Sequence, residues 1–213
     1  MILLTGFEPF GGETVNPSWE AAERAAGLLV SSGGSAVAVQ LPCVFGASIK
    51  VLAEAVRTHQ PDVVLCVGQA GGRSEVSLER VAINVDDARI PDNAGNQPID
   101  DPVVAGAPAA YFSTLPLKRG LAALSDAGLP ASVSQSAGTY VCNHVFYGLM
   151  HLLAEHDGGT RGGFIHVPFS PEQAAAHNAP GLPIEQMAAA LVIIARTSAA
   201  TGADLRIAAG AEH

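Results

Sequence analysis

The chain has 213 residues, 48% of them hydrophobic and only 15% charged, a composition that fits a packed core and excludes a disordered chain. The 11 basic residues stand against 20 acidic ones, for a net charge of −9, and no basic stripe appears, so nucleic acid is excluded as a partner. The longest apolar run, Met187 to Ala195, is far shorter than the roughly 20 residues a membrane span needs, so no membrane association is expected.

Taken in chain order, short apolar runs alternate with longer helical patterns. Ile2–Leu4 predicts a first strand without polar alternation, buried on both faces. A turn follows over Phe7-Glu8-Pro9-Phe10-Gly11-Gly12, and Ser18 is the expected N-cap of a helix to about Leu29, with Glu20 and Glu23 near its positive end. Ala36–Leu41 predicts a strand, and Gly46 to His59 a helix. Val63–Val67 is the clearest buried strand and runs into the loop Gly68-Gln69-Ala70-Gly71-Gly72-Arg73. Glu79–Val85 predicts a further strand, and Asp86 to Pro102 a long ordered loop. Leu117–Ala127 suits a helix and Ala131–Gln135 a short strand. Cys142 opens a helix that places Val141, Val145, Leu149 and Leu152 on one apolar stripe. Phe164–Val167 is a strand cut off by Pro168, and Ile184–Ala199 a final amphipathic helix. This alternation predicts one domain over residues 1–213, an α/β/α sandwich around a mainly parallel, mixed sheet, with an ill-ordered tail over 202–213.

Three kinds of chemistry can be weighed. The Gly68–Gly72 loop matches neither phosphate-binding spacing, and its glycines read better as sites of tight backbone approach. His144, His151, Glu155 and His156 crowd one helix, but His151 and His156 are five apart, about 140° around the helix, so neither a metal nor another cofactor is expected. Nucleophilic catalysis remains.

The three cysteines, Cys43, Cys66 and Cys142, form no C-x-x-C pair, and the chain starts without a charged leader, so a reducing, cytoplasmic setting is expected. Cys43 and Cys66 read as packing residues. Cys142 stands at a helix N-terminus, where the dipole favours a thiolate and free N–H groups can hold an oxyanion. The base should come from elsewhere: His144 lies about 200° around the helix from Cys142, whereas His166 ends a buried strand, where α/β folds place their ligands. Glu79, Asp86 and Asp87 all remain open as the group that orients the imidazole.

Longer stretches add a resemblance. Thr5-Gly-Phe-Glu-Pro-Phe-Gly-Gly with Asn16-Pro-Ser, Gly68-Gln-Ala-Gly-Gly-Arg with Glu79-Arg-Val-Ala-Ile-Asn, Ala88-Arg-Ile-Pro-Asp-Asn, Gly138-Thr-Tyr-Val-Cys-Asn-His and Gly162-Gly-Phe-Ile-His-Val-Pro follow one another in order. Together they resemble the pyroglutamyl peptidase type I (pyrrolidone-carboxylate peptidase) family from Leu3 to about Ala195. The resemblance implies a phosphorylase/hydrolase-like fold and a cysteine omega-peptidase that removes an N-terminal pyroglutamyl residue from peptides through a thioester. It implies Cys142 as nucleophile, His166 as base and Glu79 as its partner, Arg89 as a nearby positive charge, and Phe7, Phe10 and Gln69 around the lactam ring. It further implies a homo-oligomer, a dimer or a tetramer. The rival readings are another cysteine-dependent amidohydrolase, a catalytically silent binder of capped peptides, and a purine phosphorylase-like enzyme.

Overall fold

The computed structural model of the protein describes residues 1–155 and 159–210. The strands are β1 (Ile2–Phe7), β2 (Ala36–Leu41), β3 (Val63–Gln69), β4 (Val76–Glu79), β5 (Val81–Ile83), β6 (Ala110–Phe112), β7 (Ala131–Ser134) and β8 (Arg161–Val167), with apolar β-branched runs in β2, β3 and β5. The helices are α1 (Pro17–Ser31), α2 (Ala47–His59), α3 (Leu117–Asp126), α4 (Val141–Ala154), α5 (Pro171–His177) and α6 (Ile184–Ala199).

Six strands form one sheet in the order β2-β1-β3-β8-β4-β7. The β2, β1, β3 and β8 strands run parallel; β4 turns antiparallel to β8, and β7 is parallel to β4. The expected α/β sandwich with a mainly parallel, mixed sheet is therefore present. Alternate side chains divide the core. Leu4, Leu65, Val67, Leu78 and Ile165 meet the apolar faces of α1, α3 and α6. Leu3, Val64, Cys66 and Phe164 point to the opposite face, against α2 and α4. Burying a Leu or Phe side chain in either layer contributes roughly 1.5–3 kcal/mol.

Three expectations change. The cap of α1 is Asn16, not Ser18: Asn16 Oδ1 accepts from Ser18 N, and Pro17, whose missing N–H costs nothing in a first turn, begins the helix. Ser18 Oγ instead accepts from the backbone N of Phe7 at 3.0 Å, tying α1 to the end of β1. The stretch read as one strand over 79–85 is two strands in different sheets, because the chain leaves the main sheet after Glu79. There Arg80 N bonds Ser134 O, while Val81–Ile83 pairs antiparallel with Ala110–Phe112. Helix α4 carries more than one apolar stripe; Asn143 through Met150 are all buried, since the β5–β6 hairpin covers the side away from the sheet. Asn143 locks that hairpin down, its Oδ1 accepting from Ile83 N and its Nδ2 donating to the carbonyls of Ile83 and Val85.

Beyond Thr201, Asp204 accepts from the N–H groups of Lys118 and Arg119 at the start of α3, and the Arg119 guanidinium donates to the carbonyls of Thr201, Gly202 and Ala203. Arg80 donates to the carbonyl of Ala209. Ala211, Glu212 and His213 lie outside the described residues. No helix of the described residues is long and apolar enough to cross a membrane.

Candidate active site

The carboxyl ends of β3 and β8 lie side by side, with Gly68 in register with His166 and Cys66 with Phe164. Paired residues of parallel strands point to the same face, so His166 projects toward α4, as Cys66 and Phe164 do. The next strand, β4, is antiparallel to β8 with Ser77 opposite His166, which brings Glu79 to the same face one pleat further on. Three nonlocal pairings thus place His166 and Glu79 beside the spot where α4 begins.

Cys142 occupies the first turn of α4, after the extended N-cap residue Tyr140, which makes no side-chain cap bond. Its sulfur packs directly on Gly68: a Cβ added there would lie 2.7 Å from Cys142 Sγ and 2.8 Å from Phe164 Cζ. Only glycine fits, because any side chain would occupy the space of the thiol. This explains the glycine that ends the apolar run of β3, and it sets Cys142 over the strand position next to His166.

His166 Nδ1 is 2.8 Å from Glu79 Oε1, and Arg73 donates to the same oxygen at 2.7 Å. His166 and Glu79 are buried, and Arg73 also reaches the carbonyl of Ser136. Burial opposes charge on Glu79, but the hydrogen bond and charge of His166, with Ser134 and Arg73, hold its carboxyl below the usual carboxylate range. A carboxylate only accepts, so Nδ1 of His166 carries the proton and Nε2 keeps its lone pair. Burial pulls His166 below its ordinary value, outweighing the hydrogen bond to Glu79 that raises it, while Arg73 lowers it further.

Burial likewise pushes the Cys142 thiol well above its ordinary value; Cys43 and Glu79 add to this, and Arg73 opposes it. The residue keeps partial contact with solvent, but the sulfur itself is enclosed by Gly68 and its neighbours. Burial thus works against the thiolate that a helix N-terminus favours and, acting on His166 as well, favours a neutral thiol–imidazole pair. Burial raises Cys43 and Cys66 to about 12, consistent with packing roles.

The other sequence candidates separate clearly. Asp86 accepts from His144 Nδ1 at 2.7 Å, while His144 Nε2 accepts from Gly46 N at 2.8 Å, so this pair braces α2 against α4 and takes no part at Cys142. Asp87 is exposed and bonds Thr139 through its backbone. His151 shares a hydrogen bond with Tyr111; His156 lies outside the described residues. Among the described residues no group of three or more His, Cys, Asp or Glu is arranged to hold a metal ion. Arg89 is exposed on the loop whose flanking residues Asp87 and Pro91 bond Thr139 and Tyr140. The cation that meets the Glu79–His166 pair is Arg73, which sequence reasoning passed over at the end of the glycine-rich loop.

Phe7 is only 2% exposed and packs on Phe164, whose ring lies 5.0 Å from that of His166. Phe10 is half-buried and lies 6.3 Å from Tyr140, which in turn meets Phe45 edge-on at 5.5 Å. Tyr140 thus joins the aromatic group two residues before the thiol, a position visible in the sequence but not singled out there. Gln69 ends β3, half-buried, beyond Gly68. Two clefts of about 840 and 830 Å³ open elsewhere, one beside Lys50, Arg57 and Leu153 and one beside Glu20, Arg24 and Glu185. Cleft size does not mark this site; the carboxyl ends of parallel strands do, as α/β folds bind ligands there.

The chain is similar to known proteins over nearly its whole length. The family model described as pyroglutamyl peptidase matches residues 1–201. The pyrrolidone-carboxylate peptidase of Erwinia tasmaniensis is 55% identical over all of this chain and 99% of its own length. The protein of that name from Streptomyces coelicolor is 56% identical with the same coverage. The crystal structure of pyroglutamyl peptidase I from Bacillus amyloliquefaciens superposes with a TM-score of 0.93 at 51% identity, over 97% of this chain and 98% of that one. Pyrrolidone carboxyl peptidase from Pyrococcus furiosus gives 0.86 at 41% identity, over 92% and 97%.

Proposed function

The chain belongs to the pyroglutamyl peptidase family and is a cysteine peptidase that removes an N-terminal pyroglutamyl residue, and from this premise we infer that Cys142 is its nucleophile, His166 its base and Glu79 the group that orients the base. The observation that carries the assignment is the contact of the Cys142 sulfur with Gly68, the register partner of a His166 whose Nδ1 is bonded to Glu79. In this reading His166 Nε2 takes the thiol proton as sulfur attacks the pyroglutamyl carbonyl carbon. The C–N bond breaks as Nε2 returns that proton to the departing amine. Water, deprotonated by Nε2, then cleaves the thioester and releases pyroglutamate. The N–H groups of the first turn of α4 face the developing oxyanion. Phe7, Phe10 and Gln69 are assigned to the ring, and Arg89 to a supporting positive field.

The test is release of fluorophore from pyroglutamyl-aminomethylcoumarin under reducing conditions, followed against pH. Protonated His166 cannot accept the thiol proton, so kcat/KM must fall as pH drops through the His166 pKa, which burial sets below the usual value of about 6.5. The expected profile is a plateau at neutral pH with its acid limb centred below that value, matched by the His166 ring resonances in NMR. A His166 titration above 7 would instead indicate a resting thiolate–imidazolium pair and sink the neutral-pair reading.

Glu79→Gln separates charge from orientation. The oxygen Oε1 accepts from both His166 and Arg73, so a glutamine there must still turn its oxygen toward these two donors. The tautomer is kept and only the charge that steadies the imidazolium is lost. The expected fall in kcat/KM is about 10²-fold, against the loss of about 10⁴-fold known where an amide substitution flips the tautomer. A loss of that larger size in the coumarin assay would show that Arg73 does not hold the amide.

Cytoplasmic location and a homo-oligomer, a dimer or the tetramer, complete the proposal. Three unpaired cysteines support a reducing compartment.

A further inference from the structure

We propose that Gln173 is a positioning residue for substrate recognition, holding the Gln69 amide so that its NH₂ group, and not its oxygen, faces the bound ring. This rests on the reading of Gln69 as a substrate-binding residue. Gln173 is 4% exposed on α5, the helix that follows β8 and stands beyond the end of β3. Its Oε1 accepts from Ser170 N at 3.3 Å, half of a capping box that Ser170 Oγ completes by accepting from Gln173 N. Its Nε2 is turned the other way, 3.1 Å from Glu13 Oε2, 3.4 Å from the carbonyl of Val15 and 3.4 Å from Gln69 Oε1.

A carboxylate and a carbonyl only accept, so the Gln173 atom between them must be the nitrogen. That nitrogen has two hydrogens for three acceptors, so one is shared, and the Gln69 atom that faces it is the oxygen, since a second amide nitrogen there would make no bond. Glu13 is itself fixed by His177 at 2.7 Å, whose ring stacks on Phe169 at 4.8 Å. A chain of side chains from Phe169 through His177, Glu13 and Gln173 therefore decides which end of the Gln69 amide is free. The free end is a donor. Pyroglutamate offers a ring carbonyl to such a donor, and proline does not. The residue that sets this preference stands one shell away from the ring and would not be found by contact with substrate.

The experiment compares Gln173→Met, which keeps the volume and removes the donor, with Gln69→Met and with the double variant. Gln173→Met is expected to lower kcat/KM for pyroglutamyl-aminomethylcoumarin about tenfold, mainly through KM, as one hydrogen bond's net worth implies. The rate of Cys142 alkylation by iodoacetamide should not change. The double variant should be no worse than Gln69→Met alone, because both substitutions remove one interaction. Gln173→Lys loses the same capping-box acceptor but keeps a donor toward Glu13 and Gln69, and is expected to recover most of the activity. An equal loss in Gln173→Met and Gln173→Lys would assign the effect to folding of α5 and overturn the proposal. Additive losses in the double variant would overturn it as well, with the Gln69 reading intact. Full activity in Gln69→Met would instead remove that reading itself.

Discussion

Cys142→Ser is expected to lower kcat for coumarin release by about 10⁶-fold, the scale on which loss of a nucleophile acts in hydrolases of this type. The exchange is nearly isosteric, and the sulfur it replaces packs on Gly68. The variant should therefore unfold at close to the wild-type temperature, so the loss is chemical. Serine cannot substitute because its hydroxyl is far less acidic than a thiol and far less nucleophilic when the proton is shared with an imidazole. The other two cysteines are the internal control. Cys66 is fully buried within β3 and Cys43 is 3% exposed, with both thiols held protonated by burial. Cys43→Ala should change kcat/KM less than tenfold, since it removes packing and not chemistry. Retention of activity in Cys142→Ser to within tenfold would overturn the assignment of the nucleophile.

Much of the fold was legible because its strands are buried on both faces. Val63–Gln69 and Arg161–Val167 carry runs without polar alternation, and such runs have few homes outside the middle of a parallel sheet. Asn16-Pro17 carries its own start signal, yet the serine beside it competes for the same role; only the contact of Ser18 with Phe7 N decides between them. Helix α5 is hard to read although Ser170-Pro171-Glu172-Gln173 spells a capping box, because Pro168 ends the strand just before it and seven residues leave no visible periodicity. The division of 79–85 between two sheets has no local signature, since Arg80 breaks no alternation and what ends β4 is the distant pairing with Ala110–Phe112.

The site divides along the same line. Cys142 and His166 each announce themselves locally, one at a helix start and the other at a strand end. Glu79 does not: Asp86 and Asp87 were equal candidates until the antiparallel pairing of β4 with β8 set Glu79 beside His166 and the fold spent Asp86 on His144. Arg73 is legible only after the glycine-rich loop has turned back on the end of β4, where its contact with Glu79 spans six residues of chain. Two effects act on the thiol in opposite directions: the helix N-terminus favours a thiolate by no more than a kcal/mol or two, and burial of the sulfur disfavours it.

Prolyl-aminomethylcoumarin should be turned over on the order of 10⁴-fold more slowly than the pyroglutamyl substrate, in kcat/KM. The two rings have nearly the same size, so an apolar clamp of Phe7 and Phe10 cannot separate them by shape. Two polar terms can. Proline lacks the ring carbonyl, which leaves the Gln69 donor unpaired in a half-buried position, and a site built on such a bond rejects the analogue without it far more strongly than it rejects a missing methylene. Proline also carries a protonated ring nitrogen at neutral pH, and that charge must be stripped of water to lie beside Phe10 and above a core that includes the buried rings of Phe7 and Phe164. Neither penalty touches the scissile bond, so the loss should be present already in the ability of the two ring systems to protect Cys142 from iodoacetamide. Kinetics on both amides, with thiol protection by 2-pyrrolidone and by proline, measures the two effects side by side. Prolyl turnover within tenfold of pyroglutamyl turnover would mean that the pocket reads ring shape alone, and the roles given to Gln69 and to the polar chain behind it would fall together.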